Sequence, residues 1–198
     1  MVAIATVNAR LNPSIHCIRR ISEAIELKRG SCIAMTVAAA SSVVTTLAPE
    51  QASDRAAVEA LVLAAFGPGR YAKTAERLRE RARLTAGFVA TEDGRVVGSV
   101  RLWSVAVGET SALFLGPIAV AADSRSGGLG ADLVAASVEE ARRTGVGGVL
   151  LVGDPAYFER FGFTAAPDVR LTGPADPRRV MWLAVTAEAP SGIAHPID

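Results

Sequence analysis

Three glycines within four positions, Gly127, Gly128 and Gly130, separate a strand-like segment from a helix-like one in the stretch GPIAVAADSRSGGLGADLV (116–134). Glycine loses more conformational freedom on folding than any other residue, so such a loop is costly unless it has a role. A strand that turns through glycines into a helix directs free backbone N–H groups and the positive end of the helix dipole at one point. This geometry favours a phosphate or pyrophosphate, and Arg125 adds a fixed positive charge. A tight turn without a ligand is the simpler alternative.

Two other phosphate-binding motifs fail on inspection. The dinucleotide fingerprint G-x-G-x-x-G needs a third glycine where this chain has Leu133. The segment GPGRYAKT (67–74) resembles a Walker A motif, but Ala72 stands where that motif has its second glycine. The residues before this segment, ALVLAAF, have a helical rather than a strand-like pattern. The sequence therefore indicates neither of these nucleotide sites.

Composition and the placement of cysteine and histidine narrow the class of protein. The chain has 198 residues, half of them hydrophobic, which suits one globular domain, and its net charge of +1 argues against a nucleic-acid binder. Cys17 and Cys32 both lie near the N-terminus, and two unpaired thiols of a cytoplasmic protein are favoured over a disulfide. From residue 43 onward there is no Cys, and His195 is the single His. A Cys nucleophile, a His-centred triad and a metal site are therefore not expected there.

Residues 1–42 are interpreted as an N-terminal appendage to a domain over 43–198. They carry five basic residues against two acidic ones. The uncharged run over 31–49 imitates a signal peptide, but its basic start is too long and the run is too weakly hydrophobic. It is also too polar for a membrane span. We expect an appendage without regular structure, or one upstream of the true start, for which Met35 is the candidate.

From Val43 onward the sequence pattern predicts regular secondary structure. Ser53 and Asp54 are N-cap candidates for a first helix, which repeats apolar residues at i, i+3, i+4 and i+7. A second, charged helix is predicted over 73–83, and a third follows the glycine loop and ends at Gly145. The complete order is β-α-α-β-β-β-α-β-α-β-β, which is a mixed α/β fold.

Turn signals place the strands of this fold. Asp93-Gly94 is typical of a hairpin turn between two strands. The continuous apolar run over 149–152 indicates a strand covered on both faces. The last two predicted strands, over 169–172 and 180–185, flank a turn in GPADPR and are expected to form a hairpin.

Gly116-Pro117 interrupts the strand before the glycine loop. Because proline has no N–H and cannot donate to a ladder inside a central strand, this strand is predicted to part from the one over 149–152. A gap between two parallel strands exposes backbone N–H and C=O groups to a ligand that lies like an extra strand. A pyrophosphate at the helix start, joined to an amide-bearing arm that runs into the gap, describes coenzyme A.

At this point the residues resemble a known superfamily. RSGGLG (125–130) matches the Q/R-x-x-G-x-G/A signature of the GNAT acetyltransferases, in the strand–turn–helix context that the signature requires. The resemblance covers roughly residues 43–187. Within the superfamily, the chain most resembles the predicted N-acetyltransferases of the YhbS-like group. Three segments fit the pattern of that group: GPIAV (116–120), VLLVGDPAYFERFGF (149–163) and FGPGRYAKTAERLRE (66–80).

The resemblance implies the GNAT acyl-CoA N-acyltransferase fold and a direct attack of a primary amine on acetyl-CoA, without a covalent enzyme intermediate. The Ile118 N–H would act catalytically by polarising the thioester carbonyl. The strand segment around Ile118 would pair with the acetyl-pantetheine arm, and the backbone of the glycine loop would hold the pyrophosphate. The implied cofactor-binding positions are Ile118, Ala119, Val120, Arg125, Ser126, Gly127, Gly128, Leu129, Gly130, Ala131, Asp154 and Phe158.

Two departures from the family pattern concern acid–base chemistry. Phe158 stands where relatives often carry a Tyr general acid, and the neighbouring Tyr157 is the candidate replacement, with a half-buried core Tyr as the alternative. Phe114 stands where some relatives carry a carboxylate base. Glu109 and Asp154 remain as base candidates, and a chain of water molecules is the alternative route for the proton.

The acceptor site is the least specified part of the sequence. The candidate residues that line it are Arg70, Tyr71, Arg101 and Trp103. The alternatives are that the arginines simply lie on the surface and that the other side chains pack on the sheet in the ordinary way. An Arg there would favour an acceptor that bears a carboxylate or a phosphate. The expected partner is a small-molecule or peptide amine that accepts the acetyl group. No binding to nucleic acid or to a membrane is expected, and a homodimer is compatible with the sequence. A non-catalytic sensor that binds acyl-CoA is the alternative function.

Overall fold

The structure of the chain is a computed structural model that describes residues 44–197, so the appendage predicted over 1–42 lies outside the described residues. One mixed sheet with helices around it confirms the α/β fold class. The helices are α1 (Arg55–Phe66), α2 (Thr74–Glu80), α3 (Leu129–Thr144) and α4 (Pro155–Phe158). The strands are β1 (Thr45–Pro49), β2 (Leu84–Glu92), β3 (Arg95–Val107), β4 (Thr110–Val120), β5 (Gly148–Val152), β6 (Thr164–Ala165), β7 (Val169–Arg170), β8 (Val180–Ala184) and β9 (Gly192–Pro196).

The strand order in the sheet is β1-β2-β3-β4-β5-β8-β6, and β9 pairs with the far end of β3 and with β7. All neighbours along the main path are antiparallel except β4 and β5, which are parallel because α3 crosses over between them. The predicted hairpin at Asp93-Gly94 joins β2 to β3, and both residues have positive φ angles of 49° and 78°. Such angles are what a two-residue turn between twisted strands requires.

Helices α1 and α3 cover opposite faces of the sheet. Along β4, Ile118 and Val120 contact the hydrophobic cluster beneath α3, whereas Ala119 between them is buried against α1. Successive side chains of a strand point to opposite faces, so this alternation assigns the two helices to the two sides. The predicted apolar faces are confirmed, since Val58 and Val62 of α1 are buried, and α3 buries Val134, Val138 and Ala141 in the same way.

The hairpin predicted between residues 169–172 and 180–185 is wrong. Strand β7 is short and pairs in parallel with β9, while β8 pairs with β5 on one side and with β6 on the other. Strand β8 lies between these two partners, so it has no edge left for β7. The sequence did not reveal β9, because GIAHP contains Gly and Pro and has almost no alternation of apolar residues.

Strands β4 and β5 separate where the sequence predicts it. Their ladder runs from Ala112–Gly148 to Phe114–Leu150 and stops there. On its other side, β4 pairs Leu115 with Leu102 and Ile118 with Val100, so the two residues between them oppose only Arg101 of β3. This bulge bends β4 away from β5, which is the usual effect of an extra residue in one strand.

The bulge is held by Trp103 of β3. Its indole Nε1 donates a 2.7 Å hydrogen bond to the carbonyl oxygen of Gly116. Gly116 has a φ of 123°, a conformation that side chains disfavour, so glycine suits this position. The separation of β4 from β5 therefore depends on local chemistry within β3 and β4.

Candidate active site

A cleft of about 1060 Å³ opens where β4 and β5 part. Its walls are α2 with the loop before it, the second half of β4, the start of α3, the end of β5 with α4, and the segment over 171–179. The predicted site residues that line the cleft are Arg70, Ile118, Val120, Arg125, Gly128, Gly130, Ala131, Asp154, Tyr157 and Phe158. The strand edge, the glycine loop and α4 therefore converge on one space.

The edge of β4 that faces the cleft presents unladdered backbone groups. The N–H of Ala121 donates to Val97 of β3 at 2.7 Å, so the odd-numbered residues near the end of β4 direct their N–H groups at β3. Backbone groups alternate between the two edges of a strand, so the N–H groups of Ile118 and Val120 face away from β3. The ladder with β5 has already ended on that side. These are the groups that an extended, amide-bearing ligand would need.

The glycine loop forms the second wall of the cleft. Gly128 has a φ of 79° and caps the N-terminus of α3, and no atom lies within 4 Å of the point where its Cβ would stand. The first-turn N–H groups of Leu129 and Gly130 have no partner within the helix, as at any helix start. The N–H of Ala131 instead donates to the Gly128 carbonyl at 2.8 Å. The loop therefore offers an open backbone surface at the positive end of the 16-residue α3.

Side chains around the loop hold it in place. Leu129 is buried, and a methyl group of its side chain lies 3.1 Å from the point where a Cβ of Gly98 would stand. Leu129 is thus a core residue that anchors the loop, and only its backbone is available to a ligand. Exposed Arg125 donates from Nε to the Val120 carbonyl at 3.3 Å, which brings its positive charge to the edge of β4.

Tyr157 and Phe158 of α4 have different surroundings. The hydroxyl oxygen of Tyr157 lies 2.9 Å from the point where a Cβ of Gly130 would stand, so it is directed at the glycine loop. The guanidinium of Arg160 covers the Tyr157 ring at 4.2 Å from its centroid. The Phe158 ring lies directly against Gly153 at the end of β5, where it leaves no room for a Cβ. Phe158 has no proton to give, and the one ionisable hydroxyl of this pair faces the loop.

The carboxylate candidates differ in their distance from the β4 edge. Asp154 lines the cleft, but its side chain caps α4 by accepting from the Ala156 N–H at 3.2 Å. Glu109 is exposed at the turn between β3 and β4, roughly 30 Å from Ile118 along an extended strand. The prediction of Glu109 as a base is therefore wrong. Phe114 is fully buried.

Only part of the predicted acceptor site comes together. Arg70 lines the cleft, whereas Tyr71 is 52% exposed and stacks outside it against the Arg70 guanidinium. Arg101 is buried away from the cleft, where its Nη2 and Nε donate to Glu50 at 2.6 and 2.9 Å. The hydrogen bond to Glu50 is the largest of the effects that raise the pKa of Arg101. The interpretations of Tyr71 and Arg101 as acceptor-binding residues are therefore corrected, and Trp103 holds the bulge instead of lining the cleft.

Two residues of α2 in the cleft wall were missed by the sequence interpretation. Glu76 accepts from Arg70 at 2.6 Å and from Arg79 at 3.0 Å, and all three side chains are largely buried. Burial lowers the pKa of Arg79, and the neighbouring Glu76 partly offsets that effect. The i,i+3 spacing of Glu76 and Arg79 was visible in the sequence, but such a pair is typical of a solvated helix face.

The cleft is rich in positive charge. Its acidic lining residues are Glu76, Asp154 and Asp176, and its basic ones are Arg70, Lys73, Arg79, Arg125, Arg160 and Arg179. An excess of basic side chains in a concave site attracts anionic ligands. Among residues 44–197, no group of three or more His, Cys, Asp or Glu is arranged to hold a metal ion. Within the same range, no helix is long and apolar enough to cross a membrane.

Comparisons with known proteins match the chain to one protein family. Residues 55–163, more than half of the chain, match the acetyltransferase (GNAT) family model. The N-acetyltransferase YhbS of Escherichia coli strain K12, which its name calls uncharacterized, is 36% identical over 116 residues, 57% of this chain and 70% of that protein.

Two solved structures share the fold at moderate identity. The crystal structure of the GNAT family N-acetyltransferase YhbS from Escherichia coli in complex with CoA is similar with a TM-score of 0.68 and 29% identity, over 78% of this chain and 91% of that one. A GNAT family acetyltransferase from Brucella melitensis in complex with acetyl-CoA gives a TM-score of 0.62 and 28% identity, over 77% of this chain and 95% of that one. This chain, with its glycine loop and its separated strands β4 and β5, therefore shares its fold with two proteins that were crystallised with CoA or acetyl-CoA.

Proposed function

Since the chain belongs to the acetyltransferase (GNAT) family and is an N-acetyltransferase, we propose that it transfers the acetyl group of acetyl-CoA directly to a primary amine. The observation that carries this proposal is the meeting of the unladdered β4 edge and the open glycine loop in one cleft. One wall suits an extended amide-bearing arm, and the other suits a pyrophosphate. The CoA and acetyl-CoA bound to the two solved relatives support acetyl-CoA as the cosubstrate.

In this proposal the backbone does most of the cofactor binding. The N–H groups of Leu129 and Gly130 at the start of α3 hold the pyrophosphate, and the open space at Gly128 lets it approach the chain. Arg125 contributes charge beside the loop. The edge of β4 at Ile118 and Val120 pairs with the pantetheine amides in the manner of an added strand.

Acetyl-CoA supplies an activated acyl group, and the protein supplies position and polarisation. The Ile118 N–H, directed into the cleft, donates to the thioester carbonyl and stabilises the negative charge that develops there. The amine nitrogen attacks the carbonyl carbon, so that a C–N bond forms and the C–S bond breaks, with its electron pair leaving on sulfur. The acceptor nitrogen loses two protons on the way from ammonium to amide. The first leaves before the attack and frees the lone pair, and the second leaves the tetrahedral adduct and ends on the departing thiolate.

Water is the proposed acceptor of the first of these protons. Glu109 is remote, Phe114 is apolar and Asp154 is engaged as a helix cap. The cleft is large and open enough to hold ordered water beside a bound amine. The rate should therefore rise with pH as the free-amine fraction of the acceptor rises.

Tyr157→Phe is expected to lower kcat by less than about tenfold, because a thiolate with a pKa near 8.5 leaves without much help from an acid at neutral pH. Its hydroxyl also lies against Gly130 of the glycine loop. This effect lies well below the ~10²–10⁴-fold contribution of a committed acid–base group. Steady-state rates on one identified amine at matched pH measure it, with melting temperature and acetyl-CoA affinity as controls. A loss beyond a hundredfold in a folded variant would assign Tyr157 the acid role.

The proposed transfer is tested by thiol release across a panel of primary amines. Amine-dependent release of CoA, together with a product heavier by one acetyl group in mass spectrometry, is the expected result. Release that requires prior acetylation of the protein, seen as a mass shift without amine, would contradict direct attack.

Binding without turnover is the other informative outcome. Phe158 at the usual acid position is the observation that favours a sensor of acyl-CoA. Tight calorimetric binding of acetyl-CoA with no amine-dependent release across the panel would support that role. Recovery of a single acetylated amine would remove it.

A further inference from the structure

We infer that the acceptor carries a carboxylate a few bonds from its reactive amine, and that Arg79 of α2 binds that carboxylate. This inference rests on the proposed acetyl transfer, since it names the class of amine that the same cleft takes. It is carried by a buried, incompletely paired guanidinium beside the edge of β4.

The charges around Arg79 leave a positive excess. Glu76 is shared by Arg70 and Arg79, with one carboxylate oxygen for each at 2.6 and 3.0 Å. One carboxylate therefore faces two guanidinium groups whose side chains are 14% and 13% exposed. A guanidinium stays charged in a protein, so this excess is compensated best by an anion in the cleft.

Arg79 also has unused hydrogen-bond donors. Its Nη1 donates to Glu76, while its buried Nε has no partner in the part of the chain that the structure describes. Buried donors on charged groups are costly when left unpaired. The side edge of a guanidinium, formed by Nε and Nη2, is the edge that binds a carboxylate with two parallel bonds. The same chain shows this geometry at Arg101, whose Nε and Nη2 both donate to Glu50.

Nη2 of Arg79 lies beside the proposed reaction centre. The point where a Cβ of Gly116 would stand is 2.9 Å from Arg79 Nη2 and 3.9 Å from the Ile118 nitrogen. Arg79 Nη2 and the Ile118 nitrogen are therefore at most about 6.8 Å apart, a distance that one small ligand can span. If Ile118 polarises the thioester, an anion on Arg79 and an attacking amine are separated by only a few bonds. A compact amino acid has this spacing, whereas a long diamine has no group for Arg79.

Stacking explains why Arg79 keeps this orientation. Its guanidinium carbon lies 5.0 Å from the centroid of the buried Phe114 ring. A planar cation over an aromatic face is stabilised without using its N–H groups, so Nη2 stays free to donate in the plane of the guanidinium. Glu76 fixes the opposite end of the group. Arg79 is therefore positioned before any ligand arrives.

The test compares ligands that differ only in the anion. Calorimetry on the complex of the full chain with CoA would compare the binding of N-acetylglycine and N-acetylalanine with the binding of their carboxamides. None of these ligands has a free amine, so they differ in charge only at the carboxylate. We expect the carboxylates to bind about 10- to 100-fold more tightly. The corresponding free amino acids and amino acid amides would be compared as acceptors in thiol release.

Variants of α2 assign the preference to one residue. Arg79→Gln is expected to abolish the preference for carboxylates, Arg79→Lys to retain part of it, and Arg77→Gln on the exposed side of α2 to leave it intact. Acetyl-CoA affinity is the control for a folded cofactor site. If Arg79→Gln fails to fold, Arg79→Lys and the wild-type ligand series still decide the question.

Three results would overturn the inference. These are equal binding of carboxylates and carboxamides to the wild type, an unchanged preference in a folded Arg79→Gln variant, and tighter binding of N-acetylaminomethylphosphonate than of N-acetylglycine, which would assign the site to phosphate-like anions. Amine-dependent CoA release without a carboxylate preference would leave the acetyl transfer standing. If the protein prefers carboxylate ligands but releases no CoA with any amine, the proposed acetyl transfer is contradicted and the carboxylate site at Arg79 is not.

Discussion

Gly128→Asp is expected to weaken acetyl-CoA binding by on the order of 10²–10³-fold, since it sets a carboxylate against the pyrophosphate. Two like charges about 4 Å apart repel by about 4 kcal/mol at the effective dielectric of a protein surface. The free protein should still fold, because no atom lies within 4 Å of the new Cβ and a left-handed backbone costs a side chain only about 1–2 kcal/mol. The φ of 79° is one that Asp tolerates better than most residues. Isothermal calorimetry measures the loss, and the melting temperature without ligand reports folding.

Gly128→Asn is the matched control for charge. Asn has nearly the same shape and tolerates the same backbone conformation, but it adds no negative charge. We expect it to bind acetyl-CoA more weakly than the wild type and clearly more tightly than Gly128→Asp. A folded Asp variant with wild-type affinity would move the pyrophosphate away from this loop and remove the site assignment.

Gly148→Ala is expected to destabilise the fold by about 3 kcal/mol, at the upper end of the cost of overpacking a core. The added Cβ would collide with the Trp182 ring and with the backbone carbonyl of Leu183 in β8, and a backbone carbonyl cannot rotate away. The melting temperature should fall by roughly 10 °C in a domain of this size. Thermal unfolding followed by circular dichroism measures the change.

Gly69→Ala is the control for this second prediction. No atom lies within 4 Å of its Cβ position and its φ is not in the positive range, so its melting temperature should stay within a few degrees of the wild type. An unchanged melting temperature in Gly148→Ala would mean that β5 and β8 pack less closely than their register indicates. Gly148 stands at the start of β5, away from the cleft, so acetyl-CoA affinity should survive in the folded fraction.

The parts of the fold that the sequence predicts well are those decided by local chemistry. The glycines of the loop and the end of α3 at Gly145 are backbone requirements, readable from one residue and its neighbours. The same holds for Pro117, which cannot donate to a ladder. These local signals are enough to predict where β4 and β5 separate.

The errors arise where a partner distant in sequence decides the outcome. Arg101 looked available because nothing near it in sequence binds it, yet Glu50, 51 residues away, takes up its guanidinium. Strand β7 looked like the neighbour of β8, but β9 competes for it and β6 occupies the free edge. Pairing of this kind is settled by packing, not by propensity.

Arg79 was missed for a related reason. In sequence it belongs to a charged helix, RLRE, whose residues are mostly solvated in other proteins. Its burial comes from Phe114 and Gly116 of β4, which lie more than thirty residues further along the chain. Only the folded chain shows that one of these charges lies inside.

The separation of β4 from β5 affects which substitutions the chain can tolerate during evolution. The groups it presents are peptide N–H and carbonyl groups, which every residue except proline carries in the same form. Side chains at positions 118–120 are thus free to vary in size and shape with the needs of the core. Selection for cofactor recognition would act on the backbone bend at Gly116 and Pro117, so a lineage could change its acceptor by altering α2 while the recognition of its donor stayed the same.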